Sequence, residues 1–505
     1  MKKIKQNYEL RSFDNMKKIL RKIKKVIKIV KKGNYKVYIQ KRKNVKTIVA
    51  LSKLSKSEVE KKLKKAKKIG LSSTSFLTYE AWDLTDNDIK ELVRELKYKK
   101  EKRKINNEWY INVIAEKSNC SIDEARERAD IAMSKGYTLR KYVTCGLYEL
   151  SIEQLKNADT YEKYLSKKEK PKQIKKEVQT VREESPQEKV RKEKNWTKAK
   201  YKLEFLKATN ACGCSHAEFC HYKMYDMTPE KMKTFITLEI HLKLQIRHCD
   251  YTGGYKYLEN KSLFNETFKK YVKRKWFTNE NLSYADFEKN VKGLKQIIYK
   301  PLNGIGGKGI SKFYVNDGNN KEVYEAIMEE PAIIEECIVQ AKEIAEIWPN
   351  TLNTIRIMTI RQNGKTEILN ALLRIGVGDN VDNFASGGVA VMVDIKTGKV
   401  FTDAVNKKGK VFKKHPNSGK VFKEVTIPNW DKVKKTVIEA SKVVDKVVYV
   451  GWDVCIKENG EIELIEGNHN QDAMFCQYPL AVIEGKGIRH VVDKYVWFDE
   501  KSKTI

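Results

Sequence analysis

Apolar and polar residues follow two different periods along this chain. From Asn15 to Gly33 the run NMKKILRKIKKVIKIVKKG sets Met16, Ile19, Leu20, Ile23, Val26, Ile27 and Val30 three and four residues apart, with Lys and Arg between them. That spacing predicts an amphipathic basic helix ending at Gly33. At Gln296 the character changes to short apolar runs separated by turn residues, which predict strands.

The helical half repeats itself. Three segments align without gaps over sixteen positions: GLSSTSFLTYEAWDLT from Gly70, GYTLRKYVTCGLYELS from Gly136 and GCSHAEFCHYKMYDMT from Gly213. The matched positions are Phe76, Tyr142 and Phe219; Tyr79, Cys145 and Tyr222; Trp82, Tyr148 and Tyr225; and the acids Asp83, Glu149 and Asp226. Aromatics three apart on one helical face call for burial, and the closing Thr85, Ser151 and Thr228 predict N-caps. Each copy thus predicts a helix, a glycine break, an aromatic helix and a capped helix, a packing or interaction module without chemistry. The third copy adds Cys212, Cys214, His216, Cys220 and His221, a set able to ligate zinc, although its spacing is that of no standard finger. The aromatic frame explains the same helix without a metal, so both readings stand. Residues 161–200, mostly Lys, Glu, Gln and Pro, predict a charged linker, disordered or a solvated helix.

Candidate chemistry starts at QIIYKPLNGIGGKGISKFYV, a strand, a glycine loop and a second strand. Glycines let a backbone bend over phosphates while Lys300 and Lys308 supply charge, yet from this segment alone an ordinary glycine turn is the better reading. AIIEECIVQ then predicts a buried strand ending in acids, and NTLNTIRIMTI and EILNALLRIGVG predict strands holding Arg356 and Arg374. An arginine in an apolar strand needs an anionic ligand or a buried acid, the second being a purely structural pair. YVGWDVCIKENGEIELIEGNHN predicts a hairpin turning at Asn459-Gly460, with Asp453 facing Glu466 and Asn468. Two carboxylates and an amide oxygen are hard ligands suited to Mg²⁺, whereas either acid alone reads as a solvated hairpin residue.

Charge narrows the classes. The 505 residues hold 101 Lys and Arg against 66 Asp and Glu, a formal +35, of which residues 1–70 carry +22, residues 71–200 carry +6 and residues 201–505 carry +7. The arm at 15–33 can lie on an anionic membrane surface or pack on the protein's own body. A nucleic-acid footprint is not expected, because no interleaved Arg and aromatic pattern accompanies the charge. Nowhere do eighteen apolar residues run together, and the first thirty interleave Lys too densely for a signal-peptide core. Nine cysteines, scattered from Cys120 to Cys476, predict reduced thiols. The expectation is a cytoplasmic protein, held by its arm on the inner face of the membrane where that arm binds lipid.

In this order, the KP-GxGGKG hairpin, the EE strand, the two Arg strands and the D…ExN hairpin resemble the ATP-grasp superfamily, and within it the sugar-transfer-associated group found near bacterial surface-polysaccharide genes. NKSLFNETF from Asn260, NTIRI from Asn353, LLRIGVGDNVDNFASGG from Leu372 and the HPNSG loop at His415 with Ile427-Pro428 support the narrower resemblance, which covers about residues 205–485. It implies an α+β fold, two α+β subdomains clasping ATP, preceded by an N-terminal α-helical repeat region. The expected division is a basic arm at 1–50, two repeat copies at 51–160, the linker at 161–200, the third copy and lead-in at 201–295, and the catalytic domain at 296–490.

The resemblance also implies roles. Lys261 and Lys300 would meet ATP phosphates, and Gly304, Gly306, Gly307, Lys308 and Gly309 would form a closing flap. Glu335, Glu336 and Cys337 would form the adenine hinge, with Glu343 on the ribose. Asp453, Glu466 and Asn468 would hold Mg²⁺, while Arg356, Arg374 and Lys308 act at the transferred phosphoryl group or the substrate carboxylate. The sequence departs from the pattern at Cys337 and at His469 and Gln471 to Met474. The activity implied is an ADP-forming ligase that joins a carboxylate, through an acyl-phosphate, to an amine or hydroxyl acceptor, with a sugar or lipid-linked glycan precursor among the partners. Alternatives are a kinase that stops at phosphoryl transfer, and a scaffold whose repeats and arm bind partners.

Overall fold

A computed structural model describes residues 35–167, 184–302, 309–378, 384, 387–469, 471 and 473–498. The basic segment 15–33, Gly304, Gly306, Gly307 and Lys308 lie outside the described residues. The chain forms two compact units, Met1–Glu101 with Thr180–Asn210, and Lys102–Gln179 with Ala211–Ile505. A helical N-terminal region precedes a strand-rich C-terminal one.

The repeat has a sharper anatomy than sequence alone predicts. Each copy turns through a left-handed glycine, Gly70 at φ +99°, Gly136 at +85° and Gly213 at +73°. Two residues on, Ser72, Thr138 and Ser215 cap the six-residue helices Ser73–Thr78, Leu139–Thr144 and His216–His221 by accepting a backbone N–H. The chain then turns left-handed again at Glu80, Gly146 and Lys223 and enters the 3₁₀ turns Ala81–Asp83, Leu147–Glu149 and Met224–Asp226. Phe76 and Trp82 therefore do not share one continuous helical face, as their spacing had suggested. The second left-handed residue breaks the helix, and two of its three occupants carry a side chain that disfavours that conformation. Thr85, Ser151 and Thr228 accept from the N–H three residues later, as N-caps. In the first two copies the likeness reaches back to the thirteen-residue helices Lys56–Lys68 and Ile122–Ser134, capped by Ser55 and Ser121.

Copy one packs its Phe76 and Trp82 into a core with Ile48, Val59, Leu92 and Leu203 in the first unit. Copies two and three belong to the second unit, where Tyr142 and Phe219 are fully buried. Of the segment read as a linker, Tyr161–Lys167 and Pro186–Glu193 are helical, with Val190 buried.

Two antiparallel sheets carry the chemistry-bearing residues. β1 (Trp276–Thr278), β2 (Gln296–Pro301), β3 (Ser311–Tyr314) and β4 (Ala332–Glu336) form one sheet in the order β1-β4-β2-β3. β5 (Thr354–Gln362), β6 (Lys365–Ile375), β7 (Val389–Val393), β8 (Ala404–Asn406), β9 (Val411–Phe412), β10 (Tyr449–Ile456) and β11 (Ile462–Asn468) form the other in the order β11-β10-β5-β6-β7-β8-β9. Both faces of the larger sheet are covered, which is why its central strands read as near-continuous apolar runs. Val450, Trp452 and Val454 pack with Phe264, Phe268, Val433 and Val437 on one face. On the other, Tyr449, Met358 and Leu372 pack with Phe475 and Cys476 of the helix Ala473–Glu484. Polar residues interrupt this second face at one end of the strands.

Candidate active site

Strand register assembles the first cluster. Asp453 on β10 lies opposite Glu466 on β11 and opposite Arg356 on β5, while Thr354 lies opposite Arg374 on β6. Residues two apart on a strand share a face, so Arg356 and Arg374 both reach Asp453. Arg356 grips the carboxylate with two nitrogens, Nε on Oδ1 and Nη2 on Oδ2 at 2.9 Å, and Arg374 Nη2 adds a bond to Oδ2 at 3.0 Å. Thr354 Oγ1 accepts from Arg374 Nε and Nη2 at 2.9 and 2.6 Å and fixes that guanidinium. Asp453 has no exposure to water. Burial alone would raise its pKa, but Arg356 and Arg374 outweigh that and hold the carboxyl well below the usual range. Glu466 opens to solvent and accepts from Asn468 Nδ2 at 3.2 Å. Desolvation by the surrounding site walls, then the Asp453 charge, push its carboxyl above the usual range.

A second cluster joins the smaller sheet to the larger. Glu335 on β4 is 4% exposed and accepts from Lys300 Nζ on β2, from Arg274 Nη2 at 2.7 Å and from Asn265 Nδ2 at 3.0 Å. Arg274 Nη1 in turn donates to Glu463 Oε1 on β11 at 2.7 Å. Arg274 and Lys300 overcome the burial penalty and keep the Glu335 carboxyl far below its ordinary pKa. Glu335 thus turns its side chain inward near the C-terminal end of β4, which Glu336 closes and Cys337 follows. Glu336 Oε2 accepts from Lys275 N at 3.0 Å, and burial raises the Cys337 thiol pKa.

Lys261 links the clusters. It opens the helix Lys261–Thr267, capped by Asn260, and its Nζ donates to Leu302 O at 3.3 Å. Burial lowers its pKa, Glu466 pushes back, and Lys300 and Glu335 also lie within electrostatic reach. Lys261, Lys300, Glu335, Arg356, Arg374, Asp453, Glu466 and Asn468 are therefore one neighbourhood. Glu343 is exposed on the short helix Lys342–Ala345, outside these hydrogen bonds. Gly309 turns left-handed at φ +76°, where a Cβ would lie 2.9 Å from Pro301. Arg274, Asn265 and Glu463 escaped the sequence reading. The available signal was Arg274 itself, an arginine within the lysines of VKRKW just before a strand.

The donor set suits a hard divalent cation, because Asp453, Glu466 and Asn468 offer carboxylate and amide oxygens and no sulfur. Among the described residues, no group of three or more His, Cys, Asp or Glu could hold a metal ion, and Cys212, Cys214, His216, Cys220 and His221 do not converge into one. Instead His221 bonds to Tyr478 and the Cys212 carbonyl accepts from Thr237 Oγ1 at 2.6 Å. A hollow of about 410 Å³ lined by Lys270, Lys273, Lys432 and Lys435 shares no residue with either cluster.

This arrangement coincides with a family match. Residues 254–495 match sugar-transfer associated ATP-grasp. The matched region contains both clusters and every described residue to which the resemblance gave a role at ATP or metal. Solved structures similar to the chain include the ATP-grasp ligase PsnB complexed with minimal precursor, Mg and ADP, at 13% identity and a TM-score of 0.27, with 47% of this chain and 56% of that one covered. N5-carboxyaminoimidazole synthetase from Staphylococcus aureus complexed with ADP is 12% identical, with a TM-score of 0.29 and coverage of 45% and 48%. An L-amino acid ligase from Bacillus licheniformis is 12% identical, with a TM-score of 0.27 and coverage of 45% and 44%. The match thus spans about half the length of these chains. No curated protein matches the chain.

Proposed function

We propose that this protein is an ATP- and Mg²⁺-dependent ligase that activates a carboxylate as an acyl-phosphate and joins it to an amine or hydroxyl acceptor in cell-surface polysaccharide biosynthesis. The observation that carries the reading is the facing of Asp453 and Glu466 across one hairpin, with Arg356 and Arg374 on the first and Lys261 within reach of the second. Cations set against hard oxygen ligands suit phosphoryl transfer, which needs positioning and charge stabilisation and no protein nucleophile.

In this reading a substrate carboxylate oxygen attacks the γ-phosphorus of ATP, and the bond to the β-phosphate oxygen breaks to release ADP. The acceptor then attacks the acyl carbon, phosphate leaves and the acceptor proton passes to solvent. Lys261 and Lys300 would hold phosphate oxygens, and Arg356 and Arg374 would stabilise the transferred group. Asp453, Glu466 and Asn468 would hold Mg²⁺, which when bound neutralises charge on the β- and γ-phosphates. Gly304 to Gly309 would cover the phosphates, Glu335 to Cys337 would border the adenine and Glu343 would meet the ribose.

Calorimetry with Mg-ATP, followed by ADP release across a panel of acids with and without amine or sugar acceptors, tests this reading. Binding that is lost in Glu466→Ala, and ADP release that needs both acid and acceptor, are expected. ADP release with a single substrate would point to a kinase, and no Mg-ATP binding would point to a scaffold.

A further inference from the structure

The HPNSG loop has no part in the chemistry above, yet its side chains converge on a single stretch of backbone. β6 ends at Ile375, one residue after Arg374, and the next three residues are Gly376, Val377 and Gly378. Their three successive carbonyls are each held by a side chain. His415 Nε2 donates to Gly376 O at 2.9 Å, Asn417 Nδ2 to Val377 O at 2.7 Å, and Trp348 Nε1 to Gly378 O at 2.7 Å. Ser418 N–H donates to His415 Nδ1 at 3.2 Å, so Nδ1 is the acceptor and Nε2 carries the proton given to Gly376. The His415 ring is 1% exposed and stacks on Trp348 at 5.1 Å.

The same stretch is tied from its other side. Asn353 Oδ1 accepts from Gly376 N at 3.3 Å, and Asn353 directly precedes Thr354, whose hydroxyl holds the Arg374 guanidinium. A Cβ on Gly376 would lie 2.4 Å from Thr351 Oγ1, so only glycine lets the strand end approach this closely. Side chains from NTIRI and HPNSG, with Trp348, thus meet two residues beyond Arg374.

We propose that His415, Asn417 and Trp348 are positioning residues that lock the end of β6 and thereby set the Arg374 guanidinium against Asp453. The proposal rests on the functional reading above in giving Arg374 a role at the reaction. Ile375 and Val377 anchor this stretch by apolar packing, but Gly376 and Gly378 leave its backbone direction to the three carbonyl bonds, and a guanidinium displaced by about an ångström loses much of its value at a reacting centre.

The experiment compares His415→Ala, His415→Gln, Asn417→Ala and Arg374→Ala in the full chain, with Mg-ATP together with the acid and acceptor pair that gives the fastest ADP release in the panel above. His415→Ala and Asn417→Ala should each slow Mg-ATP turnover about tenfold, and His415→Gln, which keeps a donor and an acceptor, should recover most of it. Adding His415→Ala to Arg374→Ala should cost less than about twofold more, because both act through one group. Asn417 is exposed, so its variant folds even where a His415 variant does not. Hydrogen exchange of the peptide spanning 370–378 should rise in both variants. Additive losses, or unchanged exchange there, overturn the proposal. A wild type that releases no ADP with any acid and acceptor of the panel counts against the functional reading alone, and exchange then decides the clamp.

Discussion

The Glu335 carboxylate and the Arg274 guanidinium meet at 2.7 Å with side-chain exposures of only 5% and 2%. Lys300 shares the same carboxylate, so one acid neutralises two cations, of which Arg274 alone also holds a second buried acid, Glu463. Removing one partner of a buried pair costs about 3–5 kcal/mol because the other charge stays behind unpaired. Glu335→Gln should therefore lower the unfolding free energy by roughly 3 kcal/mol in urea titrations. The folded-state pKa of Glu335 is depressed, so its stabilisation is present above the ordinary carboxylate pKa and is lost as pH falls through that range toward the folded value. Unfolding free energy below pH about 4.5 should fall more steeply in the wild type than in Glu335→Gln.

Lys243 responds to pH in the opposite sense. It sits 4.2 Å from the Trp497 ring centre and 3.3 Å from Glu239, and burial pulls its pKa from 10.5 down to about 8. Between those two values the unfolded chain binds a proton that the folded one lacks, so stability rises with pH. Titrating unfolding from pH 8 to 10.5 should show that rise in the wild type and lose it in Lys243→Met. Equal slopes would remove the assignment.

Lys223 occupies a left-handed position that Gly146 fills in the preceding copy of the repeat. An L-residue there costs roughly 1–2 kcal/mol, against about 0.5–1 kcal/mol of extra chain entropy for glycine. Lys223→Gly should raise the melting temperature slightly, and Gly146→Lys should lower it. Calorimetric melting of the two variants checks the pair of signs.

Residues 15–33 carry the densest positive charge of the chain, interleaved with an apolar stripe. Deleting 1–33 should abolish sedimentation with anionic vesicles and leave Mg-ATP binding intact. Vesicle binding equal to that of the full chain would make the arm a solvated helix. Among the described residues no helix is long and apolar enough to cross a membrane.

Legibility in the sequence followed the distance over which each relationship acts. The hairpin that turns at Asn459-Gly460 could be drawn on paper, but its even register would set Asp453 against Ile465, and only a bulge beside Asp453 brings Glu466 opposite it. The helical frame of the repeat was legible, since its caps lie three residues from their partners. Arg274 was not legible, because its partners Asn265, Glu335 and Glu463 come from three separate elements, the last 189 residues away. That Asp453 is the shared acid of Arg356 and Arg374 needed the order β10-β5-β6, which periodicity does not contain. The left-handed turns at Glu80 and Lys223 were hidden for another reason. Neither residue is a glycine, so local chemistry gave no sign of them.

Each repeat copy owes its path to two turns of fixed hand and a cap after each, while the residues between carry Ser, Lys or His with equal ease. Such a unit behaves as an exchangeable part. A chimera carrying 213–228 in place of 70–85 should therefore keep the trajectory of the chain, because the turns and caps that set it are common to both segments.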